Sequence, residues 1–232
     1  MSGAQAMSGA QAMSGAQAMS DVHAWQAQSL LLDYPDERLL ARLDLLRRVA
    51  GTLPEPVGAP LLRFLDHLGR TPAPALSADY VSTFDNQKRC CPYLTYYAHG
   101  DTRKRGMALL RLKQAYAGVG MRLVDDELPD HLAVLLEFAA ASPDAGRALL
   151  LEYRAGLELL RLALRESHSP WAHVLESVSA TLPALRGDER DAVARLVAQG
   201  PPAEQVGLAP FAPPEYMPVP EYLPPQQSGG HR

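Results

Sequence analysis

The chain has 232 residues, 22 Lys plus Arg against 26 Asp plus Glu, and 47% apolar side chains, the profile of a soluble globular protein of one or at most two domains. A net charge of −4 argues against general affinity for nucleic acid or anionic membrane, although a local patch can oppose the mean. With 37 Leu, 35 Ala, no Ile and only 19 Val plus Thr, the composition favours helix and leaves too few β-branched residues for a large sheet.

No cationic residue precedes Arg38 and no apolar run approaches the ~18 residues of a membrane span, so the expectation is a cytoplasmic protein with no signal peptide and no membrane span. The two cysteines, Cys90 and Cys91, are adjacent. Pairing them would close a strained ring rather than staple the fold, so reduced thiols are expected.

In chain order, the hexapeptide Met-Ser-Gly-Ala-Gln-Ala occurs three times over 1–18. With no large apolar residue beyond Met it lacks a face to bury, and 1–20 is expected to be a disordered extension. Helices are predicted over about 21–33 and 36–50, separated by Asp33-Tyr34-Pro35-Asp36, with Pro35 at a natural helix start. A third is expected at about 57–69, and a fourth from near Ser77 carrying Tyr80, Val81 and Phe84. The segment 102–118 places Leu109, Leu112, Tyr116 and Val119 on one stripe and stops at Gly118 and Gly120. Further helices are predicted over 129–141 and 145–166, the latter from Leu150, Tyr153, Leu157, Leu160 and Leu164, and two shorter ones near 169–181 and 188–199. Residues 200–232 hold nine of the 20 prolines and two near-duplicates, Pro214-Glu215-Tyr216-Met217-Pro218 and Pro220-Glu221-Tyr222-Leu223-Pro224. That tail is expected to be extended, either a solvated linker or a strap packing Tyr216 and Tyr222 onto an apolar groove. The fold class that follows is all-α, a single-domain bundle of about eight to ten helices over 21–199.

Several chemistries lack their motifs. Each lysine is followed by Arg or Gln, which excludes a phosphate loop, and the single Gly-x-Gly lacks its third glycine. No His-Glu-x-x-His, Cys-x-x-Cys or Gly-x-Ser-x-Gly occurs. Cys90, Cys91 and His99 are three ligands in one loop without a fourth, a poor metal site, so no metal is assigned.

What the sequence does contain is segregated charge. Residues 88–122 carry eight cationic groups against Asp101 alone, and Asp125, Asp126, Glu127 and Asp130 follow at once. Taken singly, these acids suit a helix N-terminus and the Asp101-Thr102 pair suits a cap. As an ensemble they neighbour Tyr80, Tyr93, Tyr96 and Tyr97, and amphipathic aromatics beside mixed charge suit a peptide-binding surface.

These residues also carry a resemblance. Tyr80-Val81-Ser82-Thr83-Phe84-Asp85, Cys90, Tyr93-Leu94-Thr95-Tyr96-Tyr97, Gly100-Asp101-Thr102-Arg103, Arg105-Gly106-Met107, Glu127-Leu128-Pro129-Asp130-His131-Leu132 and Glu137-Phe138 closely resemble the NarJ branch of the TorD/DmsD-like redox-enzyme chaperones. The likeness is dense over 77–142 and looser over about 25–199, where Leu31-Leu32-Asp33-Tyr34-Pro35 matches the family's opening helix and turn. It implies an all-helical protein that is not an enzyme and has no cofactor of its own. Such a protein binds the N-terminal segment of a respiratory nitrate reductase catalytic subunit and supports insertion of that subunit's molybdenum cofactor, with cofactor biosynthesis proteins as further partners.

On this reading Asp130 and His131 carry over from the family signature. An amphipathic, partly basic client helix would meet an apolar groove flanked by Tyr80, Tyr93 and Tyr96, with Asp125, Asp126, Glu127 and Asp130 attracting its cations. His131 is either a titratable group tuning release or a packed, capping histidine. Arg103, Arg105 and Arg111 are expected to face acidic surfaces of the client subunit, guanidinium forks suiting carboxylates. The competing classes are a helical nucleic-acid-associated or protein-binding regulator using 103–113 as its basic stripe, and a thiol enzyme activating Cys90 or Cys91 beside His99. The acid cluster and the negative total count against the first.

Overall fold

The computed structural model describes residues 3–123 and 127–200. Its first helix, α1 (Gly3–Leu32), buries Ala24, Trp25, Ala27, Gln28 and Leu31, one stripe at helical spacing. The expected disordered extension is replaced over 3–20 by a continuation of this helix. Ala, Gln and Met are good helix formers, and elongation from a turn already packed at Asp21 needs no new nucleus. Residues 15–19 are exposed and add nothing to the core. The proline-rich tail beyond Gly200 lies outside the described residues.

Then come α2 (Glu37–Leu40), α3 (Leu43–Thr52), α4 (Glu55–Arg70), α5 (Ala73–Tyr80), a π turn at Val81–Asp85 and a 3-10 turn at Lys88–Cys90. The second half holds α6 (Leu94–His99), α7 (Arg103–Gly118), α8 (Leu132–Ala141), α9 (Pro143–Glu152), α10 (Arg154–Glu166), α11 (Ala172–Ala180) and α12 (Gly187–Gln199). Among the described residues that is an all-α fold without a strand, and ten of the twelve helices have seven residues or more, as the pattern of the sequence implies.

Two expected helices are broken. The 36–50 segment divides at Ala41 and Arg42, with Asp36 capping α2 by accepting from the Leu39 N–H at 2.8 Å. The 145–166 segment divides at Tyr153, where ψ swings to 16°. Tyr153 stays buried through the break, so the apolar rhythm from Leu150 to Leu164 survives and hides it. In α7 the buried stripe is Ala108, Leu112 and Tyr116, while Val119 lies past the helix and is exposed.

The core sits around α8. Its sequence LAVLLEFAAA is apolar almost all round, the pattern of a helix packed on several sides, and it lies against α1 and α9. Contact with α9 is backbone-close: a Cβ on Gly146 would lie 2.1 Å from the Ala139 Cα. α11 packs on α4, α1 and α10, and Trp171 just before it gathers Phe64, Tyr80 and Phe84 at ring-centroid distances of 5.5, 5.7 and 5.6 Å. This aromatic knot fixes the end of α5, from which Tyr80 reaches the site described next.

Candidate functional site

Helix α8 begins at Leu132, with His131 as its N-cap, rather than at Pro129, because the backbone before it is used elsewhere. The Asp130 carbonyl accepts from the Leu94 N–H and the Pro92 carbonyl accepts from the Leu132 N–H, both at 2.9 Å. A single antiparallel bridge, Tyr93 to His131, results. The Pro129 carbonyl accepts from the Tyr116 hydroxyl at 2.6 Å. Glu127-Leu128-Pro129-Asp130-His131 is therefore a strap pinned by α7 on one side and by the start of α6 on the other.

Above the strap opens a cleft of about 200 Å³ lined by Ser29, Asp33, Tyr80, Tyr93, Glu127, Leu128, His131, Ala133, Val134 and Glu137. Three carboxylates thus converge from the end of α1, the strap and the middle of α8, and among the described residues no lysine or arginine lines the cleft. Burial, reinforced by Glu127 and Asp33, holds the Glu137 carboxyl above its ordinary 4.5. Burial likewise holds the His131 imidazole below its ordinary 6.5, with Asp33 and Asp130 pulling it partly back. The same ring caps α8, its Nδ1 accepting from the Ala133 N–H at 3.3 Å, and stands edge-on to Tyr93 at 5.3 Å. Of the two readings of His131, the packed, capping one describes the ring, which also lines the cleft. Tyr80 donates its hydroxyl to the Leu32 carbonyl at 3.2 Å, and burial pushes its pKa up, so it is a neutral wall.

Asp130 does not join the cleft acids. It is wholly buried beneath them, with Oδ2 accepting from the Thr95 hydroxyl and from Arg105 Nη2 at 3.4 Å. Arg105 also reaches Asp101 at 3.1 Å and lies over the Tyr93 ring at 5.9 Å from its centroid. Asp130 and Arg105, expected to face a client, instead hold the strap to α7. A buried carboxylate without a cation is too costly to leave, and Arg105 is the cation within reach.

The remaining expected residues separate. Asp125 and Asp126 lie outside the described residues. Arg103 is exposed at the start of α7, whereas Arg111 is engaged with Glu152 and, at 3.3 Å, with the Tyr153 hydroxyl. Tyr96 turns away from the cleft into a second, larger groove of about 520 Å³ that also involves Lys88, Arg89, Leu159 and Leu196. Asp33 and Glu137 were not among the expected binding residues. The signal for Glu137 is a lone acid inside an otherwise apolar helix, and Asp33 stands where the first helix ends. Among the described residues no cluster of three or more His, Cys, Asp or Glu side chains is arranged to hold a metal ion.

The sequence profile of the family described as "Nitrate reductase delta subunit" matches residues 50–176, which spans the strap, the cleft's α8 wall and the aromatic knot. The chain belongs to that family. In this nitrate reductase delta subunit family, the chain is 39% identical over 159 residues to the "Nitrate reductase-like protein NarX" of Mycobacterium tuberculosis (strain H37Rv), covering 68% of this chain and 24% of that one. The chain therefore spans about a quarter of that relative's length. It is 34% identical over 163 residues to the "Probable nitrate reductase molybdenum cofactor assembly chaperone NarJ" of Bacillus subtilis (strain 168), covering 68% of this chain and 87% of that one. Identity to the "Nitrate reductase molybdenum cofactor assembly chaperone NarJ" of Escherichia coli (strain K12) is 32% over 148 residues, 62% of this chain and 63% of that one. The NarJ relatives are named as assembly chaperones rather than as catalysts. A crystal structure from Archaeoglobus fulgidus described as a redox enzyme maturation protein shares the fold, with a TM-score of 0.51, 24% identity and coverage of 76% of this chain and 93% of that one.

Proposed function

We propose that this chain is a non-catalytic chaperone of nitrate reductase assembly, which captures the N-terminal segment of the catalytic subunit at the Asp33–Glu127–Glu137 cleft. In this role it supports insertion of that subunit's molybdenum cofactor, working in the cytoplasm beside cofactor biosynthesis proteins and holding no cofactor itself. The observation that carries the reading is the convergence of three carboxylates on a tyrosine-walled cleft that no lysine or arginine lines among the described residues. Such a cluster is electrostatically incomplete: Glu137 is held protonated more readily than a free glutamate, and a bound ammonium or guanidinium would relieve the repulsion.

Size limits what enters. A cleft of about 200 Å³ lies below the usual size of a small-molecule pocket, which suits the end of one long cationic side chain better than a helix. The client segment would lie across the rim, anchoring a Lys or Arg between Tyr80 and Tyr93, where ring faces add to the attraction. Arg103 and Arg111, on α7, would then meet acidic surfaces of the folded client body. Among the described residues no helix is long and apolar enough to cross a membrane.

Calorimetric titration of a synthetic peptide of the client's N-terminus tests the reading. Binding is expected, with affinity reduced about tenfold or more by Glu127→Gln plus Glu137→Gln, in line with the loss of two of the cleft's three negative charges. A peptide that binds the double variant as well as the unaltered chain would refute the assignment of this cleft.

A further inference from the structure

The second groove is not accounted for by client capture at the acidic cleft. Its apolar wall is Leu159, Leu162, Ala163, Leu196 and Val197, its polar end is Lys88 and Arg89, and Tyr96 and Tyr97 present aromatic surface to it. One side of it is α12, a helix with no fully buried residue and with Val197 59% exposed. A 13-residue helix that buries so little is poorly held by the bundle alone.

The groove's last lining residue is Gly200, which is also where the described chain ends. At φ 72° and ψ −179°, a conformation reserved for glycine, it turns the backbone out of the α12 axis. The 32 residues that follow start from the groove itself. They carry Pro-Glu-Tyr-Met-Pro and Pro-Glu-Tyr-Leu-Pro, six residues apart, each offering one acid, one aromatic and one flexible apolar side chain between prolines. We propose that this C-terminal segment, residues 214–224, docks back into the groove between α6, α10 and α12 of its own chain.

Composition and charge both match. Tyr216, Met217, Tyr222 and Leu223 fit the leucine and valine wall, and proline-bounded segments seat on aromatic-lined grooves at little cost in ordering. Glu215 and Glu221 complement Lys88 and Arg89; Glu166 shares that rim but lies 3.8 Å from Arg89, so Lys88 is the first cation a tail glutamate would meet. Reach is not limiting: 16 residues separate Gly200 from Tyr216, about 50 Å at ~3.1 Å per residue, enough to double back. Because the tether keeps the segment at an effective concentration of order millimolar, a weak contact suffices, and either copy of the motif can serve.

The test uses the full-length protein with a benzophenone side chain placed at Met217 or at Leu223. On illumination of dilute protein, crosslinks within one chain are expected at 159–163 and 196–199. Their yield should fall severalfold with Lys88→Glu plus Arg89→Glu and recover when Glu215→Lys and Glu221→Lys are added. Amide exchange of 196–199 should quicken about tenfold with Tyr216→Ala plus Tyr222→Ala. Crosslinks between chains would assign the groove to a second copy, and displacement of the crosslink by the client peptide with α12 exchange unchanged would assign it to the client. Either result, crosslinks elsewhere, or none at all, overturns the proposal. Client binding at the acidic cleft is read by a different experiment and does not depend on the outcome.

Discussion

Arg105 reaches from the first turn of α7 to within 3.4 Å of Asp130, a carboxylate with no exposed surface at the foot of the acidic cleft. The pair ties the strap that carries Glu127 and His131 to the helix that carries the exposed cations. The two partners are not equivalent to remove. Arg105→Gln leaves a buried, unpaired carboxylate and is expected to cost about 3 kcal/mol, while Asp130→Asn keeps the shape, deletes the charge and should cost less. Urea midpoints of the two variants check the order; Asp130→Asn proving the more damaging would show that the carboxylate, not its neutralisation, is the requirement.

A cationic client should bind less well in acid, for two reasons that add. Glu137 takes up its proton at a pH above its ordinary 4.5, which removes a negative charge, and His131 takes up its proton below its ordinary 6.5, which adds a positive one. Affinity is therefore expected to rise with pH across that interval, Asp33 and Glu127 supplying the residual attraction. Glu137→Gln should flatten the profile. A pH-independent affinity would show that the cleft charges do not sense the client.

Two glycines on helices make opposite predictions. At Gly106, on the exposed side of α7, an added Cβ meets nothing within 4 Å, so Gly106→Ala should stabilise by about 0.5–1 kcal/mol through helix propensity. At Gly146 the same gain is outweighed, because the Cβ would sit 2.1 Å from the Ala139 Cα and α8 cannot yield without disturbing the cleft wall. Gly146→Ala is expected to destabilise by about 2 kcal/mol, and thermal melts of both variants decide.

The basic helix should prove cheap to alter. Arg111 and Glu152 are paired but their side chains are 58% and 42% exposed, so Arg111→Gln should cost under about 1 kcal/mol. If the exposed cations of α7 meet the client body, Arg103→Gln plus Arg111→Gln should weaken association with the whole catalytic subunit at low salt and leave the N-terminal peptide's affinity unchanged. Equal loss for both ligands would place these arginines at the peptide site instead.

Trp171→Ala should cost about 4 kcal/mol, because the indole is the shared neighbour of Phe64, Tyr80 and Phe84 and nothing nearby can fill its volume. A chemical-denaturation series reads it. A loss below that of an ordinary Leu→Ala change would mean the aromatic knot collapses onto the hole.

Local pattern made most of the helices legible. The Leu and Ala excess, the prolines at helix starts and the spacing of Leu150, Leu157, Leu160 and Leu164 are properties of neighbouring residues, and helix formation is decided between neighbours. For the same reason the acid-rich segment and its tyrosines could be singled out as a binding region, and Glu127, His131, Tyr80 and Tyr93 do line one cleft. The break at Tyr153 was hidden, because a turn that keeps its side chain in the core leaves the apolar rhythm intact.

The direction each charge faces belonged to the tertiary structure alone. Asp130 and Glu127 are three residues apart in one strap, yet one is sealed against Arg105 and Thr95 and the other opens to the cleft. Desolvation and pairing set that difference, and both depend on partners 25 and 35 residues away that no local spacing reveals. Asp33 and Glu137 joined the site on the same terms, brought to Glu127 by the packing of α1 against α8.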